Sequence, residues 1–179
     1  MEVEEAIRRL RVVRRFSEEP VSDEDVDAIL EAGRRTGSSK NSQEWHFIVV
    51  RDRELLAALA TVGDYAAHLA RANVAIALLT PDPAQSSAAY SLMWDLGRVA
   101  QNMVLLAWAR GIGSAPATVY DQSLCRRLLG YPTDWFCGYV LSFGHPANEE
   151  ALTRPLKAGG RRPLADMVSR EKWSSGVRQ

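Results

Sequence analysis

Hydrophobic positions repeat along this chain with two periods, and the switches between them mark its elements. Val3, Ala6, Ile7 and Leu10 stand at i, i+3, i+4 and i+7, which predicts a short amphipathic helix ending near Arg11. Arg11 to Phe16 reads as extended, because Val12 and Val13 are β-branched and Glu19-Pro20 closes the segment. Ser22 as N-cap, with Asp25 in the capping-box position, opens a helix whose buried stripe is Val26, Ile29 and Leu30 and whose end lies near Gly33. His46 to Val50 is a short strand, stopped by Arg51-Asp52-Arg53. Leu55, Leu56 and Leu59 form a helical stripe, a further short helix is expected around Tyr65 to Ala72, and the unbroken apolar run Val74 to Thr80 predicts a central strand. From about Ser86 to Arg110 the positions Met93, Leu96, Ala100, Met103, Val104 and Ala107 keep helical spacing, for a length of roughly 35 Å at about 1.5 Å per residue. Tyr90, Trp94 and Trp108 lie outside that stripe. A helix apolar on more than one face, in so small a protein, predicts a subunit interface. Gly111 to Val119 reads as a small-residue loop, Asp121 as the cap of a short helix through Leu129, and Phe136 to Phe143 as a strand.

Composition narrows the class without naming a chemistry. The 179 residues suit one domain, 1–179, and 46% hydrophobic with 25% charged residues is the make-up of a soluble globular protein. The 22 basic and 22 acidic side chains balance, so nothing calls for a nucleic-acid partner. No apolar run reaches membrane-spanning length and the N-terminus lacks a basic leader, which predicts a cytoplasmic location. Cys125 and Cys137 form no CxxC pair and read as small core residues. His46, His68 and His145 are scattered, so no metal site is expected.

Three groups remain as candidate chemistry. Gly37 to Val50 passes from small and amide residues into a strand, which is either an ordinary connection or a ligand loop on a rigid base. The arginines at 8, 9, 11, 14 and 15, with Arg161 and Arg162 near the other end, are either a solvated face or a phosphate site, since the guanidinium fork matches phosphate oxygens. Gly111 to Val119 is the second small-residue stretch. There is no Walker loop, nucleophile elbow, HExxH or GxGxxG after a strand. A bound cofactor would therefore bring the chemistry, and flavin suits an inventory of cations, backbone amides and apolar walls.

In order and separation these segments resemble the FMN-dependent nitroreductase family over nearly the whole chain. Gly37-Ser38-Ser39-Lys40-Asn41-Ser42-Gln43-Glu44-Trp45-His46-Phe47 is similar to the family's Pro-Ser-x-x-Asn-x-Gln-Pro-Trp-x-Phe pattern, and Leu10 to Phe16 to its opening arginine-serine-arginine segment. Asp95 to Gly113 resembles the long helix with its Gly-x-Gly exit, and Arg161-Arg162-Pro163-Leu164 the C-terminal signature. The resemblance implies an α+β fold with a central mixed, mainly antiparallel sheet flanked by helices, and a long helix at a homodimer interface holding two FMN sites.

On that resemblance Arg11, Arg14 and Arg161 hold the phosphate, Arg162 assists Arg161, and Val12 contributes backbone. Ser38, Ser39 and Asn41 reach the neighbouring subunit's flavin, and Asp95 matches a position contacting the ribityl chain. Pro116, Ala117 and Thr118 line one ring face, with the Thr118 N–H near flavin N5. The implied activity is ping-pong hydride transfer from NADH or NADPH through FMN to a nitroaromatic, quinone or similar small acceptor. Leu10, Val12, Gly37 and Glu44 depart from the pattern, standing where arginine, serine, proline and proline are usual. Leu10, Val12 and Glu44 keep open a second reading, a flavin-binding protein without nicotinamide-driven turnover. A basic-patch binder of anionic polymers is the third.

Overall fold

A computed structural model describes residues 2–148, 150–153, 155 and 160–173. Helix α1 (Val3–Arg9) and an extended segment lead into α2 (Asp23–Arg34), β1 (His46–Val50) and α3 (Arg53–Leu59). Then come β2 (Val74–Pro81), α4 (Ala89–Ala109), β3 (Gly113–Thr118), α5 (Gln122–Leu129), β4 (Trp135–Gly144) and a short α6 (Glu150–Thr153). Turns of 3-10 helix occur at Ser39–Asn41, Ala67–Arg71, Pro83–Gln85 and Leu164–Asp166. No helix among the described residues is long and apolar enough to cross a membrane.

The strands form one sheet in the order β1-β2-β4-β3, antiparallel at every junction. An isolated parallel bridge between Val12 and Ser114 adds the mixed character at its β3 edge. Strand β2 is interior, as its unbroken apolar sequence predicts. Its side chains alternate between two cores because successive residues face opposite sides of a sheet. Ala75, Ala77 and Leu79 meet Leu56, Leu59 and Cys125 from α3 and α5. Val74, Ile76 and Leu78 meet Val26 and Ile29 of α2 and Leu96, Val99 and Met103 of α4. Cys125 and Cys137 both lie fully buried in the first core. The hydrogen bond with Cys125, with burial, pushes the Cys137 thiol up, so it stays protonated.

Four expectations change. The α1 stripe is not covered within the chain: Ala6 is buried, but Val3 and Ile7 are 72% and 62% exposed. The long helix starts at Ala89, after Asp82 and Ser86 have turned the chain through side-chain hydrogen bonds to the Ala84 and Ala88 N–H groups. Trp108, expected at an interface, is buried with Val13, Phe16 and Ala72, because the N-terminal segment folds back over it. Gly111 to Val119 contains a strand, not only a loop. Val119 N–H donates to the Gly138 carbonyl, which fixes the ladder so that residues 115, 117 and 119 face β4 and 114, 116 and 118 face outward. Pro116 thus sits where the ladder needs no N–H, on an edge strand, which is where a strand tolerates proline.

Helix α2 begins as the sequence indicates. The Asp25 N–H donates to Ser22 Oγ at 3.1 Å, and Ser22 Oγ donates to Asp25 Oδ2 at 2.7 Å. Arg110, just past α4, donates to Asp25 Oδ1 at 2.7 Å and ties the two helices. The hydrogen bond from Arg110, then that from Ser22, holds the Asp25 carboxyl below its ordinary value. A depressed folded-state pKa contributes stability that is present above the unfolded value and is lost as pH falls through the folded one. Ser22→Ala should cost about 1 kcal/mol in urea titrations, and Asp25→Asn should flatten the acid limb of stability against pH.

Candidate functional site

The segment Leu10–Phe16 crosses the end of the sheet where β3 and β4 pair through Gly113 and Gly144. Both glycines are required by crowding. A Cβ at Gly113 would lie 2.6 Å from Val13 Cβ, and one at Gly144 would meet Phe16 and the Asn73 side chain. Val13 N–H donates to the Ser114 carbonyl at 2.8 Å, and Phe16 bridges to Pro146. Val13 and Phe16 point inward, which leaves Val12, Arg14 and Arg15 exposed. These residues and Ala147, Asn148, Glu150 and Ala151 line a cleft of about 570 Å³.

Arg11 is used differently from Arg14. Its Nη1 donates to the carbonyls of Arg8, Arg9 and Leu10 at 3.1, 2.7 and 3.0 Å, closing the C-terminus of α1, where a cation meets the helix dipole favourably. Arg161 and Arg162 are exposed, and Arg161 Nη1 donates to the Gly160 carbonyl.

Pro116 is exposed, Ala117 buried and Thr118 half-buried. The Thr118 N–H faces outward and has no partner among the described residues. Its carbonyl faces the same way and abuts Gly63, where a Cβ would collide with it. Val62 holds that turn by accepting the N–H groups of Tyr120 and Asp121 at 2.9 and 3.0 Å. Beneath the strand lies His68, buried, its Nδ1 2.8 Å from Ser142 Oγ, which donates to the Ala115 carbonyl. Burial holds the imidazole below its ordinary value, with the Arg14 charge adding to this and the Pro116 carbonyl opposing it. Sequence reasoning missed Gly63 and His68 as neighbours of the site: a lone glycine and a lone histidine carry no pattern, and only the pairing of β3 brings them there.

The polar loop forms a separate group. Ser39, Lys40, Asn41 and Gln43 are exposed on a turn in which Lys40, Asn41 and Gln43 have φ of 53°, 56° and 52°. Such left-handed conformations cost about 1–3 kcal/mol each for residues other than glycine and collect at functional loops. Ser38 Oγ accepts the Gln43 N–H at 2.9 Å, Thr80 Oγ1 donates to the Glu44 carbonyl at 2.9 Å, and Asp95 Oδ2 accepts the Ser39 N–H at 2.7 Å. No hydrogen bond or ion pair among the described residues links this group to Arg14 and β3 within one chain. The departures Gly37 and Glu44 flank it: a Cβ at Gly37 would approach Arg98 Nη2 to 3.2 Å, and the Glu44 side chain is exposed.

Two helical layers around an antiparallel sheet, crossed at one end by a cationic N-terminal segment, define an α+β fold of the nitroreductase class. The chain belongs to the nitroreductase family, whose model matches residues 7–64 and 62–145. It is 36% identical over 169 residues to an Archaeoglobus fulgidus protein provisionally named NADH dehydrogenase/NAD(P)H nitroreductase, covering 91% of this chain and 94% of that one. A provisionally named nitroreductase of Desulfovibrio desulfuricans, solved in complex with FMN, is 30% identical with a TM-score of 0.79, covering 97% and 99% of the two chains. A structure from Parabacteroides distasonis, provisionally named NADH dehydrogenase/NAD(P)H nitroreductase, is 25% identical with a TM-score of 0.83, covering 95% and 98%.

Proposed function

We propose that residues 1–179 form one FMN-binding unit of a homodimeric, cytoplasmic oxidoreductase that takes electrons from NADH or NADPH and passes them to a nitroaromatic, quinone or similar small acceptor. The observation that carries the proposal is the outward, unpartnered Thr118 N–H on β3, on the same sheet edge where Val12 joins Ser114 and leads into the arginine-bearing cleft. Kinship to a protein solved with FMN supports the same cofactor.

The donor set fits FMN. Arg14 offers a guanidinium at the cleft and the Val12 backbone stands beside it, with Arg161 and Arg162 as further cations for the phosphate. Arg11 is the lesser contributor, since the α1 carbonyls already engage its Nη1. Pro116 and Ala117 would flank a ring face, with the Thr118 N–H donating to the ring edge. When bound, FMN supplies a centre that accepts and releases a hydride. The chain contributes position, a fixed backbone donor and exclusion of water from one side of the ring.

The other half of the site is assigned to a second copy. Tyr90 and Trp94 on α4 are 95% and 68% exposed, large apolar surfaces that pairing of long helices would cover. In such a dimer Ser38, Ser39 and Asn41 of one subunit complete the site of the other.

Purified protein should be yellow and should bleach under NADH or NADPH without oxygen. Retained colour with no bleaching by either donor would point instead to flavin binding without nicotinamide-driven turnover. Arg14→Ala should weaken FMN binding by about one to two decades, the scale of a lost charged hydrogen bond. Unchanged affinity by flavin titration would remove Arg14 from the phosphate site.

A further inference from the structure

We infer that Asp95 is a positioning residue: it acts on the cofactor site through the Ser38–Glu44 loop, which it holds from inside the same chain. This rests on the assignment of that loop to a flavin site, but the holding itself does not. Three non-glycine residues in the loop, Lys40, Asn41 and Gln43, have left-handed backbones, and a segment so arranged persists only when its surroundings fix it. Of Ser38, Thr80 and Asp95, whose side chains hydrogen-bond the loop's backbone, only Asp95 brings a carboxylate, and it comes from helix α4.

Asp95 is 5% exposed. Its Oδ2 takes the Ser39 N–H at 2.7 Å across a separation of 56 residues. Its Oδ1 is buried with no hydrogen-bond partner among the described residues, and an Arg98 guanidinium nitrogen stands 3.6 Å away. A carboxylate oxygen taken out of water is costly to leave without a hydrogen bond. For Oδ2 the backbone N–H of Ser39 supplies it. The bond that satisfies this buried carboxylate oxygen is thus also the bond that holds the loop in shape.

The test is a double-variant cycle in the full chain. Asp95→Leu removes the acceptor while keeping the same branched side-chain skeleton. Ser39→Pro removes the donor, and Ser38 already has the extended backbone (φ −130°, ψ 160°) that a following proline demands. FMN affinity is measured by fluorescence titration, and amide hydrogen exchange is followed over residues 37–44. Each single variant should bind FMN about ten- to hundredfold more weakly and exchange faster. The double variant should be no worse than the poorer single one, and Asp95→Asn, which keeps an acceptor oxygen, should recover most of the loss. Additive losses would mean that Asp95 touches the ligand directly, and unchanged exchange in Asp95→Leu would mean that the loop does not need it; either overturns the inference. Faster exchange in a protein whose wild type binds no flavin would support Asp95 as the anchor and sink the flavin proposal instead.

Discussion

Trp108→Ala will destabilise the folded chain by about 3–5 kcal/mol, the range for emptying a buried indole site, while Trp94→Ala will change the stability of the chain by about 0.5 kcal/mol or less when measured at a dilution where no dimer persists. The two residues lie on one helix and look alike in sequence. Trp108 is 4% exposed and packs with Val13, Phe16 and Ala72, so its loss opens a cavity beneath the segment that carries Arg14. Trp94 is open to solvent within one chain. On the proposed pairing of α4 helices, its loss should show in sedimentation velocity as a shift toward monomer at low concentration. Urea denaturation of the dilute protein separates the cases: equal midpoint shifts for both variants would contradict this division of α4 into a core end and an exposed side.

Gly63→Ala should be the most damaging methyl addition near the site. The new Cβ would enter the contact distance of the Thr118 carbonyl oxygen and also stand 3.1 Å from the Tyr120 ring. A carbonyl held in a sheet cannot swing aside as a side-chain tip can, so either the Val62–Gly63 turn or the exit of β3 must move. Overpacking of this kind costs about 1–3 kcal/mol or more. Displacing Thr118 also turns the N–H proposed to meet the flavin edge, so FMN affinity should fall by tenfold or more as measured by titration, in protein that remains folded by circular dichroism. Wild-type affinity in a folded Gly63→Ala protein would separate the turn from the site.

Much of the framework was legible because it obeys simple periods. Strand β2 was recognisable from an unbroken apolar run, α2 from its capping box, and the body of α4 from its stripe. Strand β3 was not, since Gly113, Ser114, Pro116 and Thr118 carry the composition of a turn. What makes them a strand is the partner β4, which lies beyond α5 in the sequence, and no local window contains that information. Trp108 was misjudged for a related reason: the residues that bury it come from the first sixteen positions and from Ala72. For the candidate site, the motif order singled out the polar loop, the arginine segment and the small-residue stretch that proves to hold β3. It did not distinguish an arginine engaged by helix carbonyls, as Arg11 is, from one exposed at a cleft, as Arg14 is. Charge and spacing are the same for both, and only the turn of the backbone after α1 separates them.

The outer side of β3 has a bearing on solubility as well as chemistry. An unpaired strand edge is a template on which other chains can add, the first step of sheet-to-sheet aggregation. Here Ser114 is taken by the N-terminal segment, Pro116 offers no donor, and the Thr118 carbonyl is stopped by Gly63. What stays open along 114–118 on that side is too short to seat a foreign strand, yet it retains a backbone donor for a small molecule. The edge thereby refuses a polymer while keeping the donor proposed for the flavin.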